Sequence, residues 1–275
     1  DYSELNEAEL SFQLNEKNIQ LLCDVHYGIG SDGILLKVPS TKADFGLKIY
    51  NPDGSEAEKS GNGLRIFAKY LYDYSHTSGK KFTIETPGGI VTAEVTRETK
   101  GIASQVKVDM GKAIFNSHQI PVTCDESECL DHPLNIVDET YLINCVSVGN
   151  PHCVIVCSKL TKAEILKHGS EIENHPMFPN RINVQFAKVI SRTEVEILIW
   201  ERGAGYTLAS GSSSCAVAAV MVKKGLTDRV MSLKMPGGTL QIEVDEAWNI
   251  RMIGEVREIA SGYLSDELVA DVLCL

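Results

Sequence analysis

Alternating or continuous apolar positions mark strands along most of the chain. In the first half they fall in "FGLKIYN" (45–51), "FTIETPGGIVTAEV" (82–95) and "QVKVDMG" (105–111). In the second half they fall in "YLINCVSVGNPHCVIVC" (141–157), "RINVQFAKVI" (181–190), "EVEILIWE" (194–201), "MSLKMPGGTLQIEV" (231–244) and "IRMIGEV" (250–256). Each half also holds one helix that begins just after a Ser-Gly pair: "SGNGLRIFAKYLYD" from Ser60 and "SGSSSCAVAAVMVK" from Ser210. A further helix and loop is predicted over 158–178. The two Pro-Gly-Gly segments read as turns between successive strands, because glycine supplies the positive φ that tight hairpins demand.

The same order of features occurs twice. "TPGGIVTAEV" (86–95) and "MPGGTLQIEV" (235–244) share Pro, Gly, Gly, Glu and Val at an offset of 149, and the Ser-Gly helix starts repeat at an offset of 150. Two echoes in one order point to a duplicated unit. The expected fold class is α+β: two pseudosymmetric, strand-rich domains, each with a central helix. The expected boundaries are 1–112, completed by about 255–275, and 113–254.

Composition narrows the function. With 275 residues, 43% hydrophobic and 23% charged, the chain can bury one or two ordinary cores. No apolar run approaches the roughly 20 residues that a membrane helix needs, and "DYSELNEAEL" lacks the charge and apolar core of a signal peptide. A cytoplasmic protein without membrane association is expected. A net charge of −11 argues against a nucleic-acid surface. Eight cysteines are scattered without any CxxC pair or a histidine at metal-ligand spacing. They read as reduced core thiols, and no metal site is expected.

The candidate chemistry lies at the two helix starts. The first N–H groups of a helix have no internal partner and carry partial positive charge, so they attract carboxylate or phosphate. If the domains are related by a pseudo-twofold axis, Gly61-Asn62-Gly63 and Gly211-Ser212-Ser213 converge on one ligand, with Ser60 and Ser210 on either side. Asn51, Asn150, His152, Asn183, Glu201 and Arg202 are polar residues set within apolar segments, where burial is costly unless they are paired. Together they suit a small zwitterion such as an α-amino acid. Simpler readings stay open: Ser60 and Ser210 are ordinary helix caps, Asn51 fits an Asx-turn with Pro52-Asp53-Gly54, and Asn150-Pro151 fits a turn.

The blocks "CDVHYGIGSDGI" (23–34), "NPDGSEAEKSGNGLRIFAKY", "VSVGNPHCVIV", "HPMFPNRINVQF", "WERGAGYTLASGSSSCA" and both Pro-Gly-Gly segments resemble the diaminopimelate epimerase family, in family order and across nearly the whole chain. The resemblance implies two α/β domains with the active site between them, a homodimer, no cofactor, and two-base inversion of LL- to meso-diaminopimelate in the lysine and peptidoglycan precursor pathway. It implies an anion cradle at Gly61, Asn62, Gly211 and Ser212. Asn51, Asn150, Asn183, Glu201 and Arg202 would bind substrate, and His152 and Glu201 would orient the acid/base groups.

In several places the chain departs from the family pattern. The family has cysteine immediately before each glycine, where this chain has Ser60 and Ser210; it has glycine at position 213, and its "HGxGN" segment would fall before Asp1. A thiol has a pKa of about 8.5, and an aliphatic hydroxyl is roughly four or more units more basic. At about 1.4 kcal/mol per unit, a serine base costs on the order of 6 kcal/mol more, or ~10⁴-fold in rate. Weak epimerase activity is therefore expected. The alternatives are a diverged isomerase or lyase on the same scaffold, or a non-catalytic amino-acid-binding paralogue.

Overall fold

The computed structural model describes residues 2–275; Asp1, the first residue of the expected N-terminal domain, lies outside the described residues. The chain forms two compact units, one running to Val108 and taking in Glu255–Leu275, the other spanning Asp109–Gly254. Among the described residues there are five α-helices: α1 (Glu16–Cys23), α2 (Gly61–Asp73), α3 (Lys162–Glu173), α4 (Gly211–Lys223) and α5 (Asp266–Leu273). None of them is long and apolar enough to cross a membrane.

In the first unit, Ser3–Asn6 runs parallel to Ile34–Val38, which pairs antiparallel with Phe45–Tyr50. That strand in turn runs parallel to Lys81–Thr86, and two antiparallel hairpins through Gly89–Thr99 and Ile102–Lys112 complete the series. In the second unit, Pro151–Val156 runs parallel to Asn183–Ser191, which is antiparallel to Glu194–Glu201. Glu194–Glu201 is parallel to Val230–Met235, and antiparallel hairpins through Gly238–Val244 and Asn249–Glu255 follow. Even the short return strands match, Glu56–Ala57 against Phe45–Tyr50 and Gly205–Thr207 against Glu194–Glu201. The repeated sequence therefore specifies one plan of pairings used twice. The second unit extends it with Thr140–Ser147 and His132–Asn135.

Each central helix is held by its own unit's core. In α2, Leu64, Phe67, Ala68 and Leu71 are fully buried, the stripe expected of a helix lying on a sheet. Its far end is tied down by a buried ion pair, Lys69 Nζ to Asp73 Oδ2 at 2.5 Å, with Lys69 also donating to Ala103 O and Asp73 accepting from Ala103 N. In α4, Cys215 through Met221 are all fully buried, so this helix is covered on every side. That explains its uniformly apolar sequence, and Cys215 packs in the core as its position inside the helix predicts. The sequence pattern missed α1 and α5, which pack together in the first unit through Ile19, Leu22 and Val272. Each has only eight residues. A reciprocal cap makes α1 possible: Asn15 Oδ1 accepts from Asn18 N, and Asn18 Oδ1 accepts from Asn15 N.

The Pro-Gly-Gly segments do more than turn the chain. In both units the middle glycine donates its N–H to the carbonyl two residues before the Ser-Gly pair: Gly88 to Glu58 O at 3.0 Å and Gly237 to Leu208 O at 2.8 Å. A Cβ at Gly88 would lie 2.9 Å from Glu58 O, and one at Gly237 would lie 3.0 Å from Leu208 O. Only a bare backbone can make this contact, so the second repeated motif clamps the first. Gly88→Ala and Gly237→Ala are each expected to cost about 1–3 kcal/mol by overpacking. Urea unfolding measures this, and unchanged stability in both variants would contradict the clamp.

Candidate active site

The structure places each expected residue within its own unit. In the first unit Ser60 caps α2 with extended backbone, φ −137°, and its Oγ accepts from Gly63 N at 3.1 Å. The same Oγ lies 3.2 Å from the Tyr2 hydroxyl. Among the described residues no backbone carbonyl accepts from the N–H groups of Gly61 or Asn62, and Asn62 Oδ1 accepts from the buried Arg65 guanidinium at 3.1 Å. A cavity of about 770 Å³ opens here, lined by Tyr2, Asp32, Asn62, Arg65, Glu255 and Arg257 among others. Asn51 lies in a turn, where its Nδ2 donates to Ser55 Oγ at 2.9 Å and its O accepts from Gly54 N. The turn is closed by backbone rather than by the Asn51 side chain, and the Asx-type contact belongs instead to Asp53 Oδ1, which accepts from Ser55 N.

Ser210 occupies the equivalent place on α4 but is not its equal. It is buried and makes no side-chain cap bond; its Oγ is 3.5 Å from Ser212 Oγ. Such a cap is worth about 1 kcal/mol. Ser60 therefore uses its lone pairs on the helix, while Ser210 leaves the first turn of α4 open. The backbone N–H groups of Gly211, Ser212 and Ser213 meet no carbonyl. Ser213 and Ser214 are fully buried and bonded elsewhere, Ser213 Oγ to Gln185 Nε2 at 3.0 Å and Ser214 Oγ to Ser210 O at 2.9 Å.

The second unit brings several of the other residues together. Asn183 Nδ2 donates to Pro151 O at 2.8 Å, and its Oδ1 accepts from Arg202 N at 3.0 Å. This ties the Asn150 segment to the turn that carries Glu201 and Arg202. His152 Nε2 lies 2.9 Å from Asn150 Oδ1. The ring is fully buried and makes no hydrogen bond to Ser210. Burial pushes its pKa down to about 3, opposed by Gln185 and assisted by the positive charge of Arg202. His152 is thus a neutral imidazole that reaches the surface only through Asn150. The Glu201 carboxylate has no partner among the described residues, whereas Arg202 Nη1 donates to Asn180 O at 3.1 Å.

Two contributors escaped the sequence reading. Glu173, at the end of α3, is buried and accepts three hydrogen bonds: from Gly203 N at 2.8 Å, Trp200 Nε1 at 2.8 Å and Arg181 Nη1 at 3.1 Å. It fixes the turn after Glu201, where Gly203 and Gly205 have φ of 81° and 77°. Gln185 lies two residues beyond Asn183, and its Nε2 donates to Ser213 Oγ at the start of α4. Its one sequence signal is an amide inside an otherwise apolar strand. Among the described residues, no group of three or more His, Cys, Asp or Glu is placed to hold a metal ion. Among the described residues no two cysteines form a disulfide; five are buried, Cys124 and Cys157 are half-buried, and Cys274 is exposed, unlike the core thiol its composition class suggested.

A solved hydroxyproline epimerase from Agrobacterium vitis with bound trans-4-hydroxy-L-proline matches this fold with a TM-score of 0.64, over 87% of this chain and 76% of that one, at 14% identity. The fold is shared with that epimerase, and relatives at 39–46% identity put the chain in the epimerase and racemase class. More narrowly, it belongs to the diaminopimelate epimerase family, whose model matches residues 2–116 and 144–259. Diaminopimelate epimerase 2 of Nostoc sp. (strain PCC 7120) is 46% identical over 271 residues, covering 98% of this chain and 94% of that protein. Diaminopimelate epimerase of Heliobacterium modesticaldum is 39% identical over 244 residues, 88% of this chain and 87% of that one.

The buried imidazole gives a pH signature. The unfolded chain takes up a proton near pH 6.5 that the folded ring refuses until about pH 3. Stability linked to His152 is therefore complete above pH 6.5 and declines as pH falls, by about 2 kcal/mol at pH 5. Urea unfolding of wild type and His152→Asn at pH 7.5 and pH 5 is expected to show their stability difference shifting by that amount against wild type. A constant difference would contradict a neutral His152.

Proposed function

We propose that the chain binds diaminopimelate and inverts its α-carbon slowly, from LL to meso, with the Ser-Gly helix starts as its anion-binding elements. Open N–H groups, those of Gly61 and Asn62 in one unit and those of Gly211 and Ser212 in the other, suit a carboxylate and the charge that develops on it as the α-proton leaves. Asn51, Asn150, Asn183, Glu201 and Arg202 bind the remaining amino and carboxyl groups. The observation that carries this reading is 46% identity to a diaminopimelate epimerase over 98% of the chain.

Ser60 and Ser210 stand in for the two proton-transfer groups, and their basicity limits the rate. Helix N-termini lower the pKa of a thiol into a useful range; a hydroxyl at the same place stays protonated at neutral pH. Ser210, whose oxygen caps nothing, is the less encumbered of the two. His152 and Glu201 position these groups and the substrate without forming a covalent intermediate.

Deuterium exchange at the α-carbon of diaminopimelate in D₂O, followed by proton NMR, tests this. Exchange by the wild-type chain is expected to be slow, and Ser60→Cys with Ser210→Cys to accelerate it by ~10⁴-fold. Absence of exchange in both proteins, with the double variant still binding diaminopimelate, would overturn the reading.

A further inference from the structure

Two polar atoms near His152 are deeply buried without a partner: the ring's own Nδ1 and Gln185 Oε1. Both residues are fully buried. They sit on neighbouring parallel strands, where His152 is opposite Asn183 and Val154 is opposite Gln185, so the two side chains are diagonal neighbours. Gln185 also counters the burial-driven fall of the His152 pKa, which places its side chain beside the ring. Burying two such atoms without partners is costly, and one change satisfies both.

A neutral imidazole has one N–H and one bare nitrogen. With Asn150 Oδ1 as the acceptor, 2.9 Å from Nε2, the ring proton sits on Nε2 and Nδ1 is bare. A bare Nδ1 needs a donor, and the group facing it is the Gln185 amide. Turned end for end, that amide occupies the same volume. Its Nε2 then donates to His152 Nδ1, and its Oε1 accepts from Ser213 Oγ, a hydroxyl that serves equally well as donor or acceptor.

We infer that Gln185 is a positioning residue that sets the tautomer of His152 through a one-way chain of hydrogen bonds running from Ser213 to Gln185, to His152 and to Asn150. The first link is the first turn of α4 and the last is a half-buried side chain. With its oxygen held by His152, Asn150 must present its amide N–H groups outward, as donors for a carboxylate. The chain thus converts the direction of one buried amide into the donor character of a binding group, and it does so without any charged intermediate. The outward role of Asn150 rests on the function proposed above; the hydrogen-bond chain does not.

Long-range ¹H–¹⁵N NMR of the histidine rings at pH 7 tests the chain on the unmodified protein. The expected spectrum shows His152 with Nε2 protonated and Nδ1 bare. In Gln185→Glu, a carboxylate that can only accept takes the amide's place, and His152 is expected to become an imidazolium with both nitrogens protonated. Nδ1 protonated in the wild type, or a tautomer unchanged in Gln185→Glu, would overturn the proposal. Binding of meso-diaminopimelate separates the two readings. Gln185→Leu is expected to weaken it about tenfold, as is Asn150→Ala. If the tautomers are as stated and Asn150→Ala binds normally, the chain stands and the outward role of Asn150 fails.

Discussion

A helix begins with N–H groups that no carbonyl of its own can reach, and this protein makes that deficit twice and protects it twice. At each start a Ser-Gly pair keeps the backbone bare, and a glycine from the following hairpin donates to the carbonyl two residues upstream, to Glu58 O in one unit and Leu208 O in the other. The strand pairings, the buried helices and the repeated Pro-Gly-Gly motifs all serve to hold a partly positive backbone edge in place. Under the proposed function, a loop that moved freely would lose the entropy advantage of a preformed anion site.

The two starts differ in what their serines do. Ser60 closes its own helix and meets Tyr2, whereas Ser210 contributes nothing to its cap and faces Ser212. A thiol in either place makes only weak hydrogen bonds, whereas a hydroxyl makes strong ones, and Ser60 spends its own on Gly63 N, outside the Gly61 and Asn62 pair proposed for the carboxylate. Under the proposed function the larger effect is on proton transfer, where a difference of roughly four pKa units outweighs a cap of about 1 kcal/mol.

Much of this was legible from the sequence because it was written twice. The paired motifs gave the strand-rich plan and both helix starts, and the family blocks gave the candidate residues. Short elements were not legible: α1 depends on a cap between Asn15 and Asn18, and Ser3–Asn6 is a strand only because Ile34–Val38 lies beside it. Nor were residues whose role depends on direction rather than identity. Glu173 reads as a polar residue at a helix end until Gly203, Trp200 and Arg181 are seen converging on it. His152 reads as a candidate acid or base, yet full burial makes it a neutral element behind Asn150. Asn51 was grouped with the binding residues by type, and its amide is bonded to Ser55 in its own turn.

The central claim is that an open Ser-Gly helix start binds the carboxylate of diaminopimelate, and backbone amide NMR addresses it most directly. On titration with meso-diaminopimelate, the ¹H–¹⁵N resonances of Gly211 and Ser212, on the helix whose serine makes no side-chain cap bond, are predicted to shift to saturation. Both resonances unmoved at saturating ligand would contradict the account.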